Sequence, residues 1–219
     1  MPTPDDNPNR LVLFENQALE KLTVISVRWF ALVWSVLLPL IALAGWGRVS
    51  ALEGLALVGL GLLIWTLFEY FAHRYPFHWE SSWKPVQQLV FVIHGNHHDQ
   101  PRDQLRNLMP PIISVPVGLL LWALFFALMG HAGTWMLLGF MSGYVLYDLT
   151  HYACHQWPMR SRLGRMLKQH HMRHHFIDEG ANFAITGLFW DRVFGTRVDS
   201  VRRKMAVEAE RGSALEAGE

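Results

Sequence analysis

The chain has 219 residues, 51% of them hydrophobic and only 17% charged, a balance that excludes an intrinsically disordered protein. The formal net charge is +1 and no basic stripe stands out, so nucleic acid is not an expected partner. Cys154 is the only cysteine, which excludes an intrachain disulfide.

Residues 1–22 read as a polar to amphipathic N-terminal segment. The first ten residues are polar, and no small-residue cleavage pattern closely follows the first apolar run, so no signal peptide is expected. Leu11-Val12-Leu13-Phe14, followed by Ala18, Leu19 and Leu22, has the spacing of an amphipathic helix lying on a membrane. Four charge-free runs follow: Trp29 to Trp46, Leu55 to Phe68, Met109 to Met129 and Gly133 to Tyr147. Extended by their flanks, they predict transmembrane helices near 24–46, 52–72, 109–129 and 133–153, because crossing a bilayer takes about 20 apolar residues. The joints at 47–51 and 130–133 are short, so the four spans form two tight hairpins. Of the nineteen Lys and Arg residues, only Arg48 falls in either joint. The positive-inside rule then expects both termini, and the segments outside the hairpin tips, on the cytoplasmic side. Trp29, Trp46, Trp65, Trp79, Trp83 and Trp135 fall near the expected interfaces, as an aromatic belt would. The expected architecture is an all-α integral membrane protein, with one domain over 23–205. Its cytoplasmic helical cap comes from 73–108 and 150–205, and a flexible tail covers 206–219.

Twelve histidines are present, and ten fall into four clusters: His73 and His78; His94, His97 and His98; His151 and His155; His171, His174 and His175. Neutral imidazole is the commonest metal ligand, and ten are too many for one ion, so the count points to a dinuclear site. His78, His94, His97 and His98 recur 77 positions later as His155, His171, His174 and His175, and His73 recurs 78 positions later as His151. Each half reads as an apolar hairpin, a His pair, then an HxxHH run. Residues i and i+4 share a helix face, so His94 with His98, His171 with His175, and His151 with His155 would each grip one ion. The middle residues His97 and His174 would cross over. One metal would take His73, His78, His94, His98 and His174; the other would take His97, His151, His155, His171 and His175. His131 belongs to the opposite membrane side, and His170, with no place in the repeat, reads as a surface residue.

No HExxH, GxSxG or P-loop motif is present, so metal chemistry carries the expected catalysis. A metal-activated nucleophile for hydrolysis and O2 activation at a dinuclear iron centre both fit. Imidazole suits iron or zinc, but zinc cannot change oxidation state, so iron is expected for oxygen chemistry and zinc for an isolated form. A metal transporter would place ionisable ligands near the bilayer midplane, and the centres of the four runs contain no His, Asp or Glu.

Three stretches carry a family resemblance: Glu69-Tyr-Phe-Ala-His73-Arg-Tyr-Pro-Phe-His78, His94-Gly-Asn-His97-His98-Asp99-Gln-Pro-Arg-Asp103, and Met109-Pro-Pro111. They resemble the membrane fatty acid hydroxylase superfamily. Tyr147-Asp148-Leu-Thr-His151-Tyr152, His171-Met-Arg-His174-His175 and Phe189-Trp190-Asp191-Arg-Val-Phe194-Gly195-Thr196 resemble its fatty acid 2-hydroxylases, which act on sphingolipid acyl chains. The resemblance covers roughly residues 60–200. It implies the four-helix and cap architecture, the ten ligand roles, and O2-dependent hydroxylation at C2 of a long acyl chain. Other lipids of the superfamily (sterols, carotenoids, ornithine lipids) and lipid desaturation remain alternatives. About 20 residues precede the first expected span, too few for the fused cytochrome b5 domain of eukaryotic members. The resemblance therefore implies a separate electron donor, a cytochrome b5-like protein or a ferredoxin with its reductase, with Arg160 to Arg173 and Arg202-Arg203-Lys204 as docking charges. Glu69 and Asp148 either orient a ligand imidazole or pair with Arg or Lys. Asp99 and Asp103 orient ligands or cap the helix of the first HxxHH run. Trp190, Phe194 and Gly195 form a packed turn closing the cap. Tyr70, Tyr144 and Tyr152 line an acyl tunnel or pack the core, and Cys154 is a core residue on the back of its helix.

Overall fold

The computed structural model describes residues 10–200 and Met205; the expectations placed on 1–9, on Arg202-Arg203-Lys204 and on 206–219 lie outside the described residues. The described part is helical. α1 (Gln17–Leu22) is short, and α2 (Val27–Gly45), α3 (Ala51–Ala72), α6 (Pro111–Met129) and α7 (His131–Gln156) form the bundle. Between α3 and α6 lie α4 (Lys84–Val90) and α5 (Asn96–Asp99), and α8 (Arg162–Phe176) and α9 (Trp190–Val193) follow α7.

Local chemistry sets the starts of these helices. Ser26 caps α2 by accepting from Trp29 N, and Ser50 caps α3 by accepting from Glu53 N. α6 opens on Pro111, whose missing N–H costs nothing at a first helical position. Gly130, at φ +60°, ends α6 and lets α7 begin at once.

Three helical stretches are long and apolar enough to cross a membrane: Val27–Gly45, Ala51–Phe77 and Pro111–Met129. These correspond to the first three expected spans. The fourth expected span is a helix of 26 residues, α7, but it is not apolar enough to stand with the others. The reason is its position: α7 packs against α2, α3 and α6, so most of its surface faces protein rather than lipid. A helix so enclosed can carry Gly, Ser, Thr and Tyr where a lipid-facing one carries Leu. Glycine sets how closely it approaches. A Cβ on Gly139 would stand 2.1 Å from the Val58 carbonyl oxygen, and one on Gly61 would stand 2.2 Å from the Met136 oxygen. The core beside this crossing is aromatic, with Trp65 edge-on to Phe140, Tyr144 and Tyr147.

Several expectations are corrected here. Residues 11–14 are not helical, and α1 is held to the cap by a buried ion pair, Glu20 to Arg106 at 2.5 Å. Trp29, Trp46, Trp79 and Trp83 are exposed as a belt requires, but Trp65 is core and Trp135 donates to Gly45 O at 2.9 Å. Cys154 is fully buried, as expected.

The α3–α7 crossing yields a direct prediction. Gly139→Ala lowers the thermal stability of the detergent-solubilised protein by about 1–3 kcal/mol, as overpacking at backbone contact does. Gly59→Ala, where a new Cβ meets nothing within 4 Å, does not lower it.

Candidate metal centre

The ten clustered histidines meet at one end of the bundle, in two groups of five. His73, His78, His94, His98 and His174 form the first group, and His97, His151, His155, His171 and His175 form the second. Within each group the ligand nitrogens all lie within 4.8 Å of one another. These are the two sets that helix spacing and the 77-residue offset select. His97 and His174 sit with the opposite half of the chain: His97 Nε2 is 2.8 Å from His151 Nε2, and His174 Nε2 is 3.1 Å from His78 Nε2.

The change of offset from 77 to 78 has a structural cause. His151 and His155 lie four apart on the α-helix α7, but His73 and His78 lie five apart across a π-helical turn, His73–Phe77. A π turn closes i to i+5, so it absorbs the extra residue and still brings both rings to one ion. Pro76 favours it, because its nitrogen has no proton to give the Ala72 carbonyl. A second π turn, Phe91–Gly95, carries His94, and the Asn96 side chain donates to the Phe91 and Val92 carbonyls there at 2.8 and 2.7 Å.

The donor set fits a pair of metal ions. Nε2 atoms face each other at 2.7–3.1 Å in seven pairs, among them His73 with His94, His155 with His171, and His171 with His175. Two nitrogens each roughly 2.1 Å from one ion and at right angles about it stand about 3 Å apart. Three rings reveal which nitrogen is protonated. Nδ1 of His73 donates to Phe183 O at 2.5 Å, that of His174 to Ala181 O at 2.7 Å, and that of His151 to Asn107 O at 2.9 Å. A carbonyl only accepts, so in these neutral rings Nε2 points a lone pair into the group, as a ligand must. Burial, reinforced by neighbouring imidazoles, holds His94, His97, His171 and His174 well below the usual histidine range. Burial also holds His78 to about 4 and His98 to about 3. All are therefore neutral at pH 7, the form that binds metal.

Glu69 and Asp148 take neither of their expected roles. Both are buried, and their hydrogen bonds go to loop backbone and core side chains rather than to a ligand imidazole or to Arg or Lys. Glu69, on α3, accepts from the backbone N–H of Ile185, Thr186 and Gly187, from the Thr186 hydroxyl and from Trp65 Nε1. Asp148, on α7, accepts from Met109 N at 3.0 Å. Glu69 thus fixes a loop of the opposite half of the chain, and Asp148 fixes the entry to α6 within its own half. Asp103 accepts from Leu11 N and Leu105 N, and Asp99 is exposed, so neither orients a ligand. His170 is not a surface residue: it is buried, 2.9 Å from Asp191. Its sequence signal was its place on α8, where it falls on the buried side with His171 and His174. His131 is exposed at the far end of α7. Phe194 stacks on Tyr70 and Trp190, and Gly195 turns with φ +68°, giving the expected closing turn.

A cavity of about 100 Å³ runs from the bundle to this centre. Phe68, Met109, Ile113 and Tyr144 line its apolar part; His94 of the first group and His97 and His151 of the second close its end. Tyr70 and Tyr152 do not line it: Tyr70 bonds Thr196, and Tyr152 packs on Trp157.

An all-helical, membrane-type bundle holding two five-histidine groups defines a dinuclear metalloenzyme class. Comparison with known proteins agrees. Residues 58–196 match the family described as "Fatty acid hydroxylase". The dihydroceramide fatty acyl 2-hydroxylase FAH2 of Arabidopsis thaliana is 36% identical over 155 residues, 68% of this chain and 65% of that protein. The fatty acid 2-hydroxylase of Homo sapiens is 37% identical over 141 residues, 63% of this chain and 38% of that protein. A solved structure described as full-length scs7p, with only its hydroxylase domain visible, aligns at TM-score 0.79 and 32% identity, covering 85% of this chain and 71% of that one. The chain belongs to the fatty acid hydroxylase family. It spans between 38% and 65% of the length of the two relatives named.

The crossover is testable by metal content. A His94→Ala/His98→Ala variant should retain one metal per chain. Adding His174→Ala should leave that metal in place, whereas adding His97→Ala should lower its retention; elemental analysis after desalting against a chelator reads both.

Proposed function

We propose that this chain hydroxylates a lipid acyl chain at C2, in a fatty acid or a sphingolipid-type N-acyl chain, using O2 and two electrons from a separate donor. The observation that carries this reading is the cavity, because it joins an apolar, bundle-facing path to ligands of both histidine groups at one point. Family membership and the activities for which the relatives are named support the acyl substrate. Two irons held by the ten histidines would supply the oxidising chemistry that an unactivated C–H bond needs and protein groups lack.

The chain's own residues do the rest. Phe68, Met109 and Ile113 give the alkyl chain an apolar lining. Glu69 and Asp148 also border the cavity, each with one oxygen engaged by backbone N–H groups. His94, His97 and His151 are buried, which keeps bulk water from the end of the cavity. In this reading α7 is the fourth span, enclosed by the other three, and both termini and the metal centre face the cytoplasm. The arginines of α8 then lie on the side open to a soluble donor, a cytochrome b5-like protein or a ferredoxin.

The test is lipid analysis of cells with and without the chain, grown under 18O2. One 18O atom in the hydroxyl of 2-hydroxyacyl lipids, dependent on the chain, is the expected result. Product formed without O2, a new double bond without label, or no labelled product with a competent donor supplied would overturn the reading.

A further inference from the structure

Residues 181–187 cross the first histidine group with no regular secondary structure. Two of their carbonyls orient its ligands, Phe183 O for His73 and Ala181 O for His174. A carbonyl can hold a ring only if its own peptide is held, and here Asp191 does the holding. Its Oδ1 accepts from Phe183 N at 2.9 Å and from the Thr196 hydroxyl at 2.7 Å. Its Oδ2 accepts from Ala184 N at 2.9 Å and stands 2.9 Å from His170 Nε2. The carboxylate is fully buried, and both oxygens are engaged by partners from three parts of the chain. His170 neighbours His171 and lies one helical turn from His174, so Asp191 also ties the ligand helix α8 to the segment that orients its ligand. Asn182 completes the brace, with its side chain accepting from Val198 N and donating to Val198 O at 2.9 and 2.8 Å.

The second group is held elsewhere. His151 donates to Asn107 O, and the Asn107 side-chain nitrogen, which also donates to Pro101 O, lies 2.9 Å from His97 Nδ1. Gln156 donates to the amide oxygen at 2.6 Å. Among the described residues, no hydrogen bond links 181–187 to a ligand of the second group.

Resting on the two-metal reading above, we propose that Asp191 is the positioning residue for the first metal, acting through the Phe183 and Ala181 carbonyls, whereas the second metal is anchored chiefly through Asn107. Replacing the carboxylate by an amide puts an N–H donor where two donors now converge, so one brace of the segment is lost without emptying space.

The experiment uses the full chain in detergent, loaded with Zn2+ as a redox-silent probe, and follows metal per chain during a chelator challenge. The wild-type protein should hold two ions. Asp191→Asn should lose one of them at least tenfold faster and keep the other at the wild-type rate. Two backgrounds identify which: His151→Ala/His155→Ala leaves the first site, and there Asp191→Asn should speed the loss; His94→Ala/His98→Ala leaves the second site, and there it should change little. Equal loosening of both ions, or of neither, or equally faster loss in the His94→Ala/His98→Ala background, would overturn the inference. If Asp191→Asn does not fold, Thr196→Val removes one partner of the carboxylate and should show the same selectivity to a smaller degree; equal retention of both ions in this variant would overturn it too. A wild-type chain that holds fewer than two ions would instead overturn the two-metal reading beneath it.

Discussion

Nitrogen lone pairs turned toward one another are the constraint on which the cap depends. Nε2 atoms face each other at 2.7–3.1 Å, and in at least three rings the proton sits on the far nitrogen, given to a backbone carbonyl. Burial holds the rings neutral, and in these three the N–H is directed outward, so a lone pair is left facing the neighbouring ring. A cation among the nitrogens turns the repulsion into ligation. The rest of the cap supplies the rigidity needed to hold ten rings at that separation.

That rigidity comes from buried carboxylates on the bundle helices and from the exchange of ligands between the halves. Glu69, near the end of α3, fixes the loop that follows α8 in the opposite half; Asp148 on α7 fixes the entry to α6 in its own half. His97 and His174 are exchanged between the halves. A half that folded alone would have incomplete ligand groups and an unclamped loop, so the bundle, the loops and the histidine groups form together. Close packing of α3 on α7 through Gly61 and Gly139 brings the two gripping helices to the required distance.

Much of the site is legible in the sequence because its rules are local. Helical spacing places His94 with His98 and His171 with His175 and leaves His97 and His174 as the residues to cross, which the structure groups with the opposite half. The shift to 78 at His73 was also visible, and its meaning is a π turn. The roles of Glu69, Asp148 and Asp191 were not legible. Their partners are backbone N–H groups of loops, in several cases more than a hundred positions away, and a backbone donor leaves no mark on residue identity. His170 failed for a related reason: it breaks the repeat because it serves the brace rather than the metal. The three lipid-facing helices were plain from their apolar runs. α7 was harder to place, because a helix enclosed by three others need not be apolar all round.

X-ray absorption on the metal-loaded, detergent-solubilised chain tests the central claim most directly. The account predicts two ions per chain, with protein ligands that are nitrogen only, at roughly 2.0–2.1 Å for zinc. One ion per chain, or a sulfur or carboxylate ligand from the protein, would contradict it.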